Sequence, residues 1–195
     1  MGSIFKEYRL GEICKVHRGL SFTDYGLESG TPIIKKKNIR GGKVVVEDVF
    51  YGDETKHKVL DIHRVRYEDV VITNVSPGGK VAINLTDMEF ILGGEVFKLE
   101  PNPEILNRRY LYYFLMNSPQ QIEQALTLAN VVRLHVSSIE KFKIHVPDLK
   151  TQLEIVRYLD TFRELREELR MRKQQGVYYR DKIMSSLREC ALLDK

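Results

Sequence analysis

Val146-Pro147-Asp148-Leu149-Lys150-Thr151-Gln152-Leu153-Glu154-Ile155-Val156-Arg157-Tyr158-Leu159-Asp160 divides the chain into two kinds of sequence. A β-like run ends at Pro147, a short polar turn follows, and a long helix begins. Residues 1–148 read as one compact globular domain and residues 149–195 as one charged helix. The helix is predicted over roughly Thr151 to Leu187. Ile155, Leu159, Phe162 and Leu169 recur at three-and-four spacing, with Leu165 close to the same face. The other faces carry Arg163, Glu164, Arg166, Glu167, Glu168 and Arg170, and Glu168 with Arg172 makes a favourable i, i+4 pair. A narrow apolar seam on a charged rod is the pattern of a helix that packs on another helix. The seam turns polar near Gly176 and returns at Val177, Tyr178, Ile183, Met184 and Leu187. Such a helix, ~37 residues, would be ~55 Å long. That is more than the globular part can cover, so a partner helix is expected.

Upstream, the chain alternates strand signals with loops. Tyr8 to Val16 reads as a short helical turn feeding a strand, and Ser21 to Gly30 as a loop. Thr31-Pro32-Ile33-Ile34 and Lys43-Val44-Val45-Val46 read as the two strands of a hairpin that turns at Gly41-Gly42. Tyr67 to Thr73 is β-branched and reads as a buried strand. Asn74-Val75-Ser76-Pro77-Gly78-Gly79 is a loop. Strand character resumes at Lys80 to Leu85 and at Gly93 to Glu100. A helix over about Asn107 to Leu126 is expected to divide at Ser118-Pro119, because proline starts helices well and interrupts them badly. Asn130 to Ser138 reads as loop or strand. Ile139 to Val146 alternates apolar with polar, as a half-buried strand does. The fold class is therefore α+β: a mixed sheet with short helices, then one long C-terminal helix of coiled-coil type.

The chain has 195 residues, 30% of them charged, with a formal net charge of +4. A mildly basic balance permits nucleic-acid binding without demanding it. Cys14 and Cys190 are too far apart in sequence to suggest a disulfide framework, which points to a reducing cytoplasm. No stretch approaches the ~20 apolar residues of a membrane span, and no signal peptide is expected.

Catalytic motifs are few and incomplete. Glu54-Thr55-Lys56 and Asp148-Leu149-Lys150 match a nuclease fragment, but neither follows an acidic partner on a clear strand. Gly78-Gly79-Lys80 lacks the spacing of a phosphate loop, and Val81 stands where Ser or Thr would bind magnesium. Cys14 and His17 have metal-like spacing without a second pair. No catalytic residue, metal site or cofactor is assigned.

Binding signals are better. Lys35, Lys36, Lys37, Asn38 and Arg40 form a basic arm on the hairpin. As a solvated face it needs no explanation; as a phosphate-contacting arm it gives salt-dependent affinity. Thr73, Asn74, Ser76, Gly78, Gly79 and Lys80 suit close backbone approach and base-edge hydrogen bonds, or a plain turn. Arg133 and His135 flank Leu134, and alternation puts both on one side, available for groove contacts or simply for solvent.

Pro147-Asp148-Leu149-x-x-Gln152-x-x-Ile155-Val156-x-x-Leu159-Asp160 resembles the start of the conserved helix in specificity subunits of type I restriction–modification systems. Tyr178-Tyr179-Arg180 resembles that helix's ending, Leu10-Gly11-Glu12-Ile13 followed by Gly19 resembles the family's domain start, and Ile139 to Pro147 the strand ending its target recognition domain. The resemblance implies a non-catalytic subunit that reads double-stranded DNA and docks methyltransferase and restriction subunits. It also implies two recognition domains and two helices in a full subunit, whereas this sequence has one of each. A homodimer through Ile155, Leu159, Phe162, Leu165, Leu169, Ile183 and Leu187 would restore the arrangement. It would favour a bipartite, palindromic site with halves about one to two DNA turns apart, each ~34 Å. The alternative is a protein-interaction module whose helix docks a partner and whose globular domain does not read DNA. An enzyme in its own right is the third class, and would show Mg²⁺- or cofactor-dependent turnover.

Overall fold

A computed structural model describes residues 5–22, 29–75, 78–127 and 133–193, with all their side chains except those of Thr127 and residues 186–193. In chain order the strands are Lys6–Arg9 (β1), Cys14–Arg18 (β2), Thr31–Ile34 (β3), Ile39–Arg40 (β4), Lys43–Val44 (β5), Phe50–Gly52 (β6), Arg64–Val65 (β7), Val70–Thr73 (β8), Val81–Ile83 (β9), Phe90–Leu92 (β10), Val96–Pro101 (β11), Leu126–Thr127 (β12), Arg133–Leu134 (β13) and Lys143–Val146 (β14). The helices are Leu10–Ile13 (α1), Arg108–Met116 (α2), Pro119–Ala125 (α3), Val136–Ile139 (α4) and Leu149–Leu193 (α5). The architecture is the expected α+β arrangement of mixed sheets, short helices and one long C-terminal helix.

Six strands form one sheet in the order β2-β11-β8-β9-β5-β4, and four form another, β6-β3-β10-β7. Each contains one parallel pair, β5 with β9 and β3 with β10. The sheets share a core: Ile34, Val65, Phe90 and Leu92 from the smaller meet Val44, Val71, Ala82 and Val96 from the larger. Helix α2 packs against β8, β9 and β11. Strand β8 is therefore buried at all four residues, which explains its unbroken Val-Val-Ile-Thr composition. Full burial of a side chain such as Phe90 contributes about 2–3 kcal/mol.

The predicted hairpin is shorter than expected. Its arms are β4 and β5, which pair Arg40 with Lys43 across Gly41-Gly42. Thr31–Ile34 leaves it and pairs with β6 and β10 in the other sheet. Alternation identifies a strand but not its partner. The helix break is at Ser118-Pro119 as expected. Of Ile139 to Val146, only Lys143–Val146 is a strand; Ile139 ends α4.

The junction after β14 is built by two side chains. Asp148 accepts from the Thr151 amide at 3.0 Å and from its hydroxyl, capping α5. Those hydrogen bonds hold its carboxyl below the ordinary range. Gln152 is fully buried. Its Oε1 accepts from the amide of Asn107, the residue capping α2, and its Nε2 donates to the carbonyls of Ile105 and Pro147, each bond 2.8 Å long.

A charged cluster binds the polar segment before β7 to the start of β10. Glu89 accepts from Arg64 and Arg66, each at 2.7 Å; Arg64 also pairs with Glu54, and Arg66 with Asp61. The Thr31 hydroxyl, with Arg64, holds Glu54 below the usual carboxylate range, and hydrogen bonds from Arg66 do the same for Asp61. Burial pushes Glu89 up, but the two arginines more than offset it.

The chain forms two compact units, Met1–Glu154 and Ile155–Lys195. Among the described residues, no helix is long and apolar enough to cross a membrane.

Candidate nucleic-acid interface

The basic run beginning at Lys35 is held by local packing. Residues Lys36–Asn38 form a 3-10 turn between β3 and β4. The ammonium groups of Lys35 and Lys37 lie over the Phe50 ring, 4.4 and 3.8 Å from its centre. Each contact contributes about 0.5–1 kcal/mol at an exposed site. Lys36 turns toward Glu95: its amide donates to the carboxylate at 3.4 Å, and its Nζ lies 3.8 Å from it. Arg40 is exposed, donates from Nε to the Lys37 carbonyl at 3.0 Å, and comes within 4.0 Å of Asp48. The arm is thus an ordered ridge of cations.

Asn38 does not share the exposed face of the arm. It is fully buried. Its Oδ1 accepts from the Lys35 amide, and its Nδ2 donates to the carbonyls of Val45 and Glu47. Polar side chains beside tight turns satisfy stray backbone groups, and here that need outweighs any ligand. Thr73 is buried for the same reason: its hydroxyl accepts from the Lys80 amide at 2.9 Å, closing the loop between β8 and β9.

That loop leans on helix α3. A Cβ on Gly79 would lie 2.3 Å from Cγ2 of Ile122, and one on Gly78 would lie 2.9 Å from Cδ2 of Leu126. Gly79 also has φ of +80°, in the left-handed region. The close approach expected of these glycines is therefore to α3 and β12. Lys80 is exposed. Ser76 lies outside the described residues.

Three segments meet here. The Leu134 amide donates to the Asn74 carbonyl at 2.9 Å, and Val75 bridges to Arg133. Arg133 and His135 are exposed on either side of buried Leu134, as alternation predicted. The Asn74 amide donates to the Glu95 carbonyl at 3.0 Å, and its Nδ2 donates to the Gly94 carbonyl at 3.0 Å. Glu95 in turn holds Lys36. On the other side, Arg40, Gly41 and Gly42 of the hairpin face Gly78, Gly79 and Lys80 across a cleft of about 560 Å³, floored by Leu115, Ile122 and Leu126. The basic arm, the loop and the β13 segment thus form one edge.

Sequence reasoning missed two participants. Lys43 faces Arg40 across the hairpin turn; the signal was a cation just past the noticed run. Glu95 links arm to loop, and nothing in Gly93-Gly94-Glu95 announces it. Among the described residues, Oδ1 of Asn74 is buried without a hydrogen-bond partner. An unsatisfied buried acceptor costs about 1–3 kcal/mol.

The thiol at Cys14 is buried, and burial pushes it up to about 12, so it is protonated at neutral pH. His17 pairs through Nε2 with Glu100. Among the described residues, no cluster of His, Cys, Asp or Glu is arranged to hold a metal ion.

The seam of α5 is open. Phe162, Leu165, Leu169 and Ile183 are 66%, 55%, 54% and 59% exposed, whereas Ile155 and Leu159 are half-buried. The side chain of Leu187 lies outside the described residues.

Comparison with known proteins agrees with the sequence reading. Over 70 residues the chain is 34% identical to a protein of Mycoplasma pneumoniae named as a type I specificity subunit, covering 36% of this chain and 25% of that protein. Over 88 residues it is 36% identical to the specificity subunit of the type I restriction enzyme EcoR124I/EcoR124II of Escherichia coli, covering 40% of this chain and 21% of that one. The fold matches a chain from a structure of type I R-M complex assembly and conformational transition, with TM-score 0.66, 21% identity and coverage of 87% and 40%. It also matches the HsdS subunit of Thermoanaerobacter tengcongensis, with TM-score 0.59, 20% identity and coverage of 85% and 38%. The matched region is thus a quarter or less of the curated relatives and about two fifths of the solved ones. The sequence model of the family described as type I restriction modification DNA specificity domain matches residues 3–177, and the chain belongs to that family.

Proposed function

We propose that the chain reads DNA sequence for a type I restriction–modification complex and carries no active site itself. The observation that supports this most strongly is the meeting of the basic arm, the Asn74–Lys80 loop and Arg133–His135 on one edge of a family domain. Residues 1–148 are the reading domain. Lys35, Lys36, Lys37, Arg40 and Lys80 contact phosphates, and Arg133 and His135 reach base edges; contacts of the first kind position, and those of the second specify.

Helix α5 serves as docking post for a second copy and for methyltransferase and restriction subunits. Its 45 residues make a rod of about 68 Å. Two copies joined along it would present identical readers, matched to a bipartite, palindromic site.

Gel shifts across a salt series test the reading. Affinity should fall steeply between about 50 and 200 mM salt, and a specific duplex should outcompete random DNA. Salt-independent binding, or none, would refute it. Supplying the chain to a methyltransferase subunit and sequencing the modified sites would identify the target.

A further inference from the structure

Three of the four polar atoms of Asn74, two of the backbone and one of the side chain, bind two neighbouring segments. Its amide and Nδ2 hold the Gly94-Glu95 turn, each at 3.0 Å, and its carbonyl holds Leu134 at 2.9 Å. The same turn anchors Lys36 through the Glu95 carboxylate. Asn74 itself is only partly exposed, and its Oδ1 is buried. A side chain whose nitrogen is bound to the Gly94 carbonyl and whose oxygen is buried is badly placed to read a base. We propose that Asn74 is a positioning residue for sequence discrimination: its side chain ties Asn74-Val75, whose backbone carries the β13 segment, to the Gly94-Glu95 turn, and specificity at several bases depends on that tie.

The proposal replaces the expectation that Asn74 contacts a base directly, and it rests on the DNA-reading function proposed above. The two roles differ in what their loss does. A base-contacting side chain governs one base position, and its removal relaxes that position. A positioning side chain governs every contact carried by the segments it joins, because small misplacements of a site degrade all its contacts together. A merely structural side chain would change stability and leave the pattern of preference intact.

Asn74→Ala suits the test because it should fold. It loses one hydrogen bond, to the Gly94 carbonyl, and it also removes the unsatisfied Oδ1 acceptor, so the two effects oppose each other. The parent chain, Asn74→Ala and Arg133→Ala would each select from a pool of duplexes with randomised positions, followed by sequencing of the bound fraction. Asn74→Ala should weaken preference at two or more base positions by about tenfold in total or more, with non-specific affinity within about twofold of the parent. Arg133→Ala should relax one position. Relaxation confined to one position in Asn74→Ala, or an equal loss for all sequences, overturns the proposal.

A parent chain with no sequence preference would refute the DNA-reading function instead. Hydrogen exchange then decides the positioning role. Asn74→Ala should speed exchange at the Leu134 and Val96 amides while the rest of the β8–β11 ladder, from Phe97 to Leu99, keeps its protection. Unchanged exchange at those two amides overturns the proposal.

Discussion

The globular unit and helix α5 use the same apolar residue types to opposite ends. Ile33, Ile34 and Leu92 are fully buried by the chain's own sheets, whereas Leu165, Leu169 and Ile183 on α5 are more than half exposed. Leaving a large apolar side chain in water forgoes about 1.5–3 kcal/mol each. A lone helix has no core to recover it, and a seam of such residues makes sense beside another surface. The first unit thus contains the reasons for its own fold, and the second exposes the apolar seam on which the proposed docking rests. A substitution that is ruinous in one region should therefore be mild in the other.

The largest effect is expected at Gly19. A Cβ there would lie 2.1 Å from the Gly93 carbonyl oxygen and 2.4 Å from its carbon. Both are backbone, so no rotamer change relieves the clash. Gly19→Ala should destabilise the globular unit by more than about 4 kcal/mol, read by urea denaturation. A loss under about 1 kcal/mol would mean that the Leu20–Gly93 bridge is not a fixed part of the fold.

Phe162→Glu combined with Leu165→Glu and Leu169→Glu should leave that unit's unfolding midpoint unchanged and abolish self-association. At about 1.5–3 kcal/mol per buried side chain, the dissociation constant should rise by at least about a hundredfold. Sedimentation velocity at micromolar concentration reads it. A parent chain that is monomeric there refutes the homodimer.

Gln152→Ala probes the junction. It strips partners from the Asn107 amide and from the Ile105 and Pro147 carbonyls. The expected cost is about 2–4 kcal/mol, in urea, because buried groups left unpaired lose their full desolvation penalty. A cost below about 0.5 kcal/mol would show that water replaces the amide.

Acid should act on the globular unit. Glu54, Asp61 and Glu89 have folded-state values below their ordinary ones. A depressed carboxylate adds stability that is present above its unfolded value, near pH 4, and is lost as pH falls through the folded value. Unfolding midpoints should therefore fall below about pH 4.5. Glu89→Gln should flatten that slope, and an unchanged slope would remove the cluster from the explanation.

Much of the fold could be read from residue order because its cause was local. Proline at position 119 divides α2 from α3, and four β-branched or apolar residues in a row mark the buried β8. The pairing of β3 with β10 was not legible, since nothing in Thr31–Ile34 names a partner some 60 residues on. At the candidate interface the exposed cations Arg40, Lys80 and Arg133 stand where alternation and loop composition suggested. Asn38 and Thr73 were misread because a polar residue in a turn looks the same whether it serves a ligand or its own backbone. Gln152 stood in the recognised motif, yet its work on the α2 cap is visible only in three dimensions.

The smallest effect is expected at Gly176, where the substitution that ruins position 19 should help. A Cβ there meets nothing within 4 Å. The residue lies inside α5, and alanine favours a helix interior over glycine by about 1 kcal/mol. Gly176→Ala should therefore raise helicity at 222 nm and the thermal midpoint of the α5 transition, leaving the globular transition unchanged. The variant also tests the proposed pairing of two helices. If the helices of two copies run past each other with ordinary spacing at this point, self-association strengthens slightly with the stiffer helix. If it weakens instead, the added methyl has met a surface that approaches closely, and glycine is there to admit the partner.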